Sequence, residues 1–154
     1  MSSFHGLQLA LEQAQRLRDD RAQQLARLTG QLTLLRAQLA QLESYAQETE
    51  KRWISGSHLH ISAEMLRHHY QFMGRLEHAI ALQGDVIASA LREIEMAQKA
   101  QMQAEVRLHG LRNVMDSRRA LLMKLAHKRE QNQTDEFAAL AHARQAALGE
   151  QYGD

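Results

Sequence analysis

Proline and cysteine are both missing from the 154 residues of this chain. An average chain of this length carries about eight prolines. Proline removes a backbone donor and clashes with the preceding turn, so its absence permits very long uninterrupted helices. Without cysteine there can be no disulfide and no thiolate metal ligand. Aromatic residues make up 5% of the chain, thin filling for a globular core. No apolar run is long enough to span a bilayer. Met1, Ser2, Ser3, Phe4, His5 and Gly6 lack the basic-then-apolar order of a secretory signal. A cytoplasmic location is therefore expected. The formal net charge of +1 gives no reason to expect nucleic acid as a partner.

What the chain does contain is Leu, Ala, Gln, Arg and Glu, all good helix formers. Apolar residues recur at alternating spacings of three and four: Leu25, Leu28, Leu32, Leu35, Leu39, Leu42 and Ala46. The same register reaches back through Ala14, Leu11, Leu7 and Phe4, interrupted only by Arg18 and Arg21. A mean spacing of 3.5 is the mark of a seam facing another helix. Around residues 55–62 the period is lost. Gly56 suits a helix C-terminus through its access to left-handed dihedrals, and Ser62 followed by Glu64 suits an N-cap.

A second register then holds for nine heptads. One position carries Leu66, Met73, Ile80, Ile87, Ile94, Gln101, Leu108, Met115 and Leu122. The other carries His69, Leu76, Gln83, Ala90, Ala97, Ala104, Leu111, Arg118 and Leu125. Order decays after Arg129, and a short amphipathic tail follows with Phe137, Leu140 and Leu148.

A short turn between two long helices makes them antiparallel neighbours. The expected fold is all-α: a single antiparallel coiled-coil domain over residues 1–154. Its first helix should span about 4–54, the turn 55–62, the second helix 63–130 and the tail 131–154. Counting back from the turn pairs Trp53 with Leu66, Ala46 with Met73, Leu39 with Ile80 and Leu11 with Leu108. Arg18 and Arg21 then fall beside Gln101 and the small Ala97, a polar layer of the kind that fixes register.

Phe4 pairs near Met115, so a first helix of roughly 75 Å runs out there. Leu121, Leu122, Met123 and Leu125 are left without an intramolecular partner. An exposed apolar stripe of this kind marks an interaction site. The segment is also basic, with seven Lys/Arg against one acid, Asp116, over residues 107–129. Leucines and arginines together suit an acidic, partly apolar protein surface. Nucleic acid is disfavoured because no aromatics interleave with the bases. Nearer the turn, Phe72, Leu76, Ala79 and Gln83 form a stripe alongside the seam. It either covers the seam's edge, with Phe72 against Tyr45, or docks a partner.

No catalytic constellation and no phosphate loop is present, so neither enzymatic activity nor a cofactor is expected. Histidines 58, 60, 68, 69 and 78 flank the turn, and a metal held by His58, His60 and His69 is the functional reading of them. The plainer reading is a solvated polar region with His69 at the seam's end beside Thr49.

Three stretches carry a family likeness: Leu42-Glu43-Ser44-Tyr45, Tyr70-Gln71-Phe72-Met73-Gly74-Arg75-Leu76-Glu77-His78-Ala79-Ile80 and Asp135-Glu136-Phe137-Ala138. In their order and spacing the chain resembles the FliJ family, coiled-coil proteins of the bacterial flagellar type III export apparatus. The resemblance implies a two-helix coil similar to the central stalk of rotary F- and V-type ATPases. It implies binding to the hexameric flagellar export ATPase, with promotion of ring assembly and turnover. It implies contact with the membrane protein of the export gate, and in some members with export chaperones. Such a protein would be mainly monomeric and peripherally associated with the inner membrane. The family's gate-docking stripe maps onto Phe72, Leu76, Ala79 and position 83, where Gln83 is a departure. The stalk analogy directs the ATPase to the open ends of the coil, where Arg118, Arg119, Leu122, Leu125, Lys128 and Arg129 lie. An injectisome stalk and a self-associating coiled-coil scaffold are the competing readings.

Overall fold

The computed structural model describes residues 2–56 and 61–151. Two helices account for nearly all of them: α1, Ser2–Ser55, and α2, Ala63–Gln151. No strand occurs among the described residues, and the two helices pack against each other. The chain divides into two compact units, Gln13–Val106 and a second made of Met1–Glu12 with Arg107–Asp154.

Within Gln13–Val106, the side chains turned out of water are those of the two registers. Ala14, Leu32, Leu76, Ile94, Ala97 and Ala104 are buried. Leu25, Leu28, Leu35, Leu39, Leu42, Ile80 and Ile87 are half-buried, as a two-stranded seam open at both flanks allows. Among the polar seam residues, Gln83 donates through Nε2 to the Leu35 carbonyl oxygen at 3.0 Å and to Gln38 Oε1 at 3.1 Å. Both acceptors belong to α1, so this side chain ties the helices together across the seam.

That Leu35 carbonyl already has its helical donor, so the Gln83 bond is an addition rather than a necessity. Replacing Gln83 by leucine therefore leaves no buried acceptor unsatisfied while adding apolar burial at a seam position. Gln83→Leu is expected to raise stability by about 1 kcal/mol, read as a higher denaturant midpoint. A lower midpoint would show that the amide, not the space it fills, holds the helices in register.

The helix ends have local causes. Ser62 Oγ accepts from the Met65 amide at 3.2 Å, an N-cap, and Glu64 supplies the acid of the first turn. Gly56 departs from its expected conformation, since no described glycine has a positive φ. Instead its amide closes one more helical turn on the Arg52 carbonyl at 3.0 Å, and an added Cβ would stand 3.2 Å from that oxygen.

The far end of α2 also departs from expectation. The heptads stop near Arg129, but the helix continues to Gln151 rather than ending near residue 130. Packing periodicity and helix propensity are separate properties. Residues 131–151 lack a seam yet contain no proline and six alanines. Thr134 spends its hydroxyl on the Glu130 carbonyl at 2.9 Å, keeping this polar stretch within the helix.

In the second unit the core is small and well sealed. Leu108 is 1% exposed and Met115 2%, with Leu111 half-buried between them. Phe4, Leu7 and Leu11 of α1 are half-buried in the same unit.

Candidate functional site

The stripe near the start of α2 divides by depth. Leu76 is 8% exposed, and the Gln83 amide is taken up by α1, so both are turned into the seam. Ala79 is half-buried. Phe72 stands at the surface, its ring edge-on to Tyr45 at 6.0 Å and 81°. Phe72 thus covers the seam's edge and still offers aromatic surface, with the exposed Tyr45 beside it.

Closer to the turn, the expected partners change. Leu66 is exposed rather than paired with Trp53. Trp53 stacks instead on His69, with ring centroids 4.0 Å apart and planes 2° from parallel. The sequence places Trp53 and His69 at seam positions, but spacing alone carries no signal for stacking. His58 and His60 lie outside the described residues, and so does the three-histidine metal reading that needed them. Among the described residues no group of three or more His, Cys, Asp or Glu is placed to hold a metal.

The arginines of the expected polar layer are half-buried, as is Gln101. Their bonds run along α1: Arg18 Nε donates to Asp19 Oδ1 at 3.0 Å, and Arg21 Nη1 to Gln24 Oε1 at 3.4 Å. Arg21 lines an open cleft of about 330 Å³ to which α2 contributes the small Ala97 and Ala100 together with Glu93 and Met96. Small residues opposite arginine make room for a charged head to stay wet above its apolar stem.

In the second unit, α1 reaches further along α2 than the register count gives. Ser3 and Phe4 line, with Arg118, Leu121 and Leu122, an open cleft of about 580 Å³. Leu121 and Leu122 are therefore bordered by α1 on one side, though both stay more than half exposed. Met123 is 75% exposed, and every described residue from there to Gln151 is exposed. Leu125, Lys124, Lys128 and Gln131 share one face. Because α2 continues as helix, Phe137 (73% exposed), Leu140 and Leu148 stand on the same element as Leu122 and Leu125. All six residues expected to meet the ATPase are exposed. The apolar surface of that stretch extends further than the expected overhang did.

Among the described residues no helix is long and apolar enough to cross a membrane. A family model, that of the flagellar FliJ protein, matches residues 4–147. No curated protein and no solved structure matches the chain. With the match covering nearly its whole length, this chain belongs to the FliJ family and has a role in flagellar protein export.

Proposed function

We propose that this chain binds the hexameric flagellar export ATPase, promotes its assembly and ATP turnover, and couples it to the membrane protein of the export gate. The observation that carries the reading is the stretch of α2 beyond Leu122, where exposed leucines and basic side chains share a helix that α1 does not cover. A surface that is both apolar and cationic suits an acidic, partly apolar partner, with charge steering the encounter and leucines supplying affinity. Arg118, Arg119, Leu122, Leu125, Lys128 and Arg129 are the residues assigned to that contact. The chain acts by binding, as a central stalk does, and one copy serves one ring. Export chaperones fit the same scheme as further partners.

The gate contact is assigned to the surface around Phe72 and Ala79, with Leu76 and Gln83 supporting it from the seam. Engagement there would hold the protein peripherally at the inner membrane. Truncating Phe72 to alanine removes exposed aromatic surface and one edge-on ring contact, a stability loss of about 1 kcal/mol. Phe72→Ala is expected to stay folded and to lose co-elution with the cytoplasmic domain of the gate protein. Undiminished co-elution would move the gate contact elsewhere.

The deciding measurement is ATP turnover by the cognate export ATPase with and without the protein. Stimulation that saturates near one chain per hexamer is the expected result. Unchanged turnover together with no co-elution would remove the ATPase from the partners.

A further inference from the structure

The uncovered part of α2 carries two features that binding to an acidic partner does not require. Its charges are segregated: residues 118–129 hold five Lys/Arg and no acid, while residues 130–136 hold Glu130, Asp135 and Glu136 and no base. Its large apolar residues are also placed symmetrically. Leu122 and Leu125 lie three apart before the charge boundary, and Phe137 and Leu140 three apart after it. At 3.6 residues per turn these four fall within about 120° of one another on the helix, a single stripe. All four are exposed.

We infer that this stripe is self-complementary, and that in the free protein a second copy covers it in antiparallel orientation. With the two-fold axis crossing at the level of Gln131, Leu122 of each copy meets Leu140 of the other, and Leu125 lies level with Phe137 of the other copy at the flanks of the stripe. Symmetry repeats each pair, giving four apolar layers from four residues. Between them the stripe carries Arg129, Gln133 and Glu136. In this register Arg129 lies opposite the second copy's Gln133 and within a turn of its Glu136. The neighbouring Lys128 falls near Asp135 of the second copy.

Orientation follows from the same charges. Parallel pairing would set the basic block against the basic block and the acidic block against the acidic block. Only antiparallel pairing brings the end of each basic block onto the acidic residues of the other copy. Like charges directly opposed are disfavoured, so the charge pattern selects against the parallel arrangement. An isolated helix gains no packing from such a stripe, and a surface of this composition is ordinarily covered. The pairing goes beyond the proposed ATPase contact and does not depend on it. It does use Leu122, Leu125 and Arg129, so pairing and ring binding would exclude each other.

The test is sedimentation velocity on the full chain over a range of concentrations, with circular dichroism to verify helicity. R129E alone sets acid against acid at both symmetric contacts, and E136R alone sets base against base. Each is expected to weaken dimerisation by about tenfold or more. An equimolar mixture of R129E and E136R restores opposite charges at both contacts, and dimer is expected to return as the mixed species. A wild-type chain that stays monomeric throughout would overturn the inference. So would a dimer indifferent to both reversals, or a mixture that fails to recover. The sedimentation results are obtained on the chain alone, whereas ATP turnover of the ATPase with the wild-type chain decides the proposed function, so either can fail without the other.

Discussion

Replacing Leu108 by alanine is expected to destabilise the protein by about 2–5 kcal/mol, far more than truncation of an exposed apolar residue. Leu108 is 1% exposed, and it sits one heptad from Met115, with which it is one of the two largest fully buried side chains among the described residues. Removing its branched end deletes apolar contact and leaves a hole that two rigid helices cannot close by moving together at one point. A thin two-helix core offers few other layers to absorb that loss. The matched control is Val106→Ala, two residues away on the same helix but exposed. Its cost should stay within about 0.5 kcal/mol. Thermal unfolding followed by circular dichroism separates the two, with a drop of about 5–15 °C for Leu108→Ala and little change for Val106→Ala. Equal drops would mean that the seam does not carry the stability of this unit.

That contrast rests on a pattern legible in the sequence alone. The 3-4 spacing identified Leu32, Leu76, Ile94, Ala97, Ala104, Leu108 and Met115 as inward, and all seven are buried. Periodicity reads burial well because a helix has only one face to give a single partner. It reads less where other forces act. Near the turn, ring stacking between Trp53 and His69 replaced the expected Trp53–Leu66 pair, since spacing says nothing about the shape of side chains. At the other end the heptad stops near Arg129 and spacing alone leaves the tail undecided, whereas alanine-rich residues 131–151 need no seam to be helical. Gln83 belonged to two patterns at once, the seam and the stripe alongside it. Its bonds to Leu35 and Gln38 resolve the ambiguity in favour of the seam. The family likeness named Phe72, Leu76, Ala79 and Gln83 together, but their depths differ, and depth depends on which way a helix rolls against its neighbour.

The continuation of α2 sharpens the largest functional effect to be expected. A chain ending after Met115 keeps Leu108, Leu111 and Met115 and every seam residue before them, so its two helices should still pack. It loses the cleft shared by Phe4, Arg118, Leu121 and Leu122, and with it all of the uncovered helix. Helicity per residue in the shortened chain should match that of the full chain, because the deleted part is helical as well. Stimulation of ATP turnover should fall to the level of the ATPase alone, since every residue assigned to that contact is gone. Restoring residues 116–129 alone divides the surface further. Those residues return Arg118, Arg119, Leu122, Leu125, Lys128 and Arg129, and recovery of turnover would confine the ATPase contact to them. Recovery that needs residues 130–151 would instead bring Phe137 and Leu140 into the contact, on surface that a second copy would also claim. Stimulation by the chain ending at Met115 would contradict the assignment outright and move the contact onto the two-helix part.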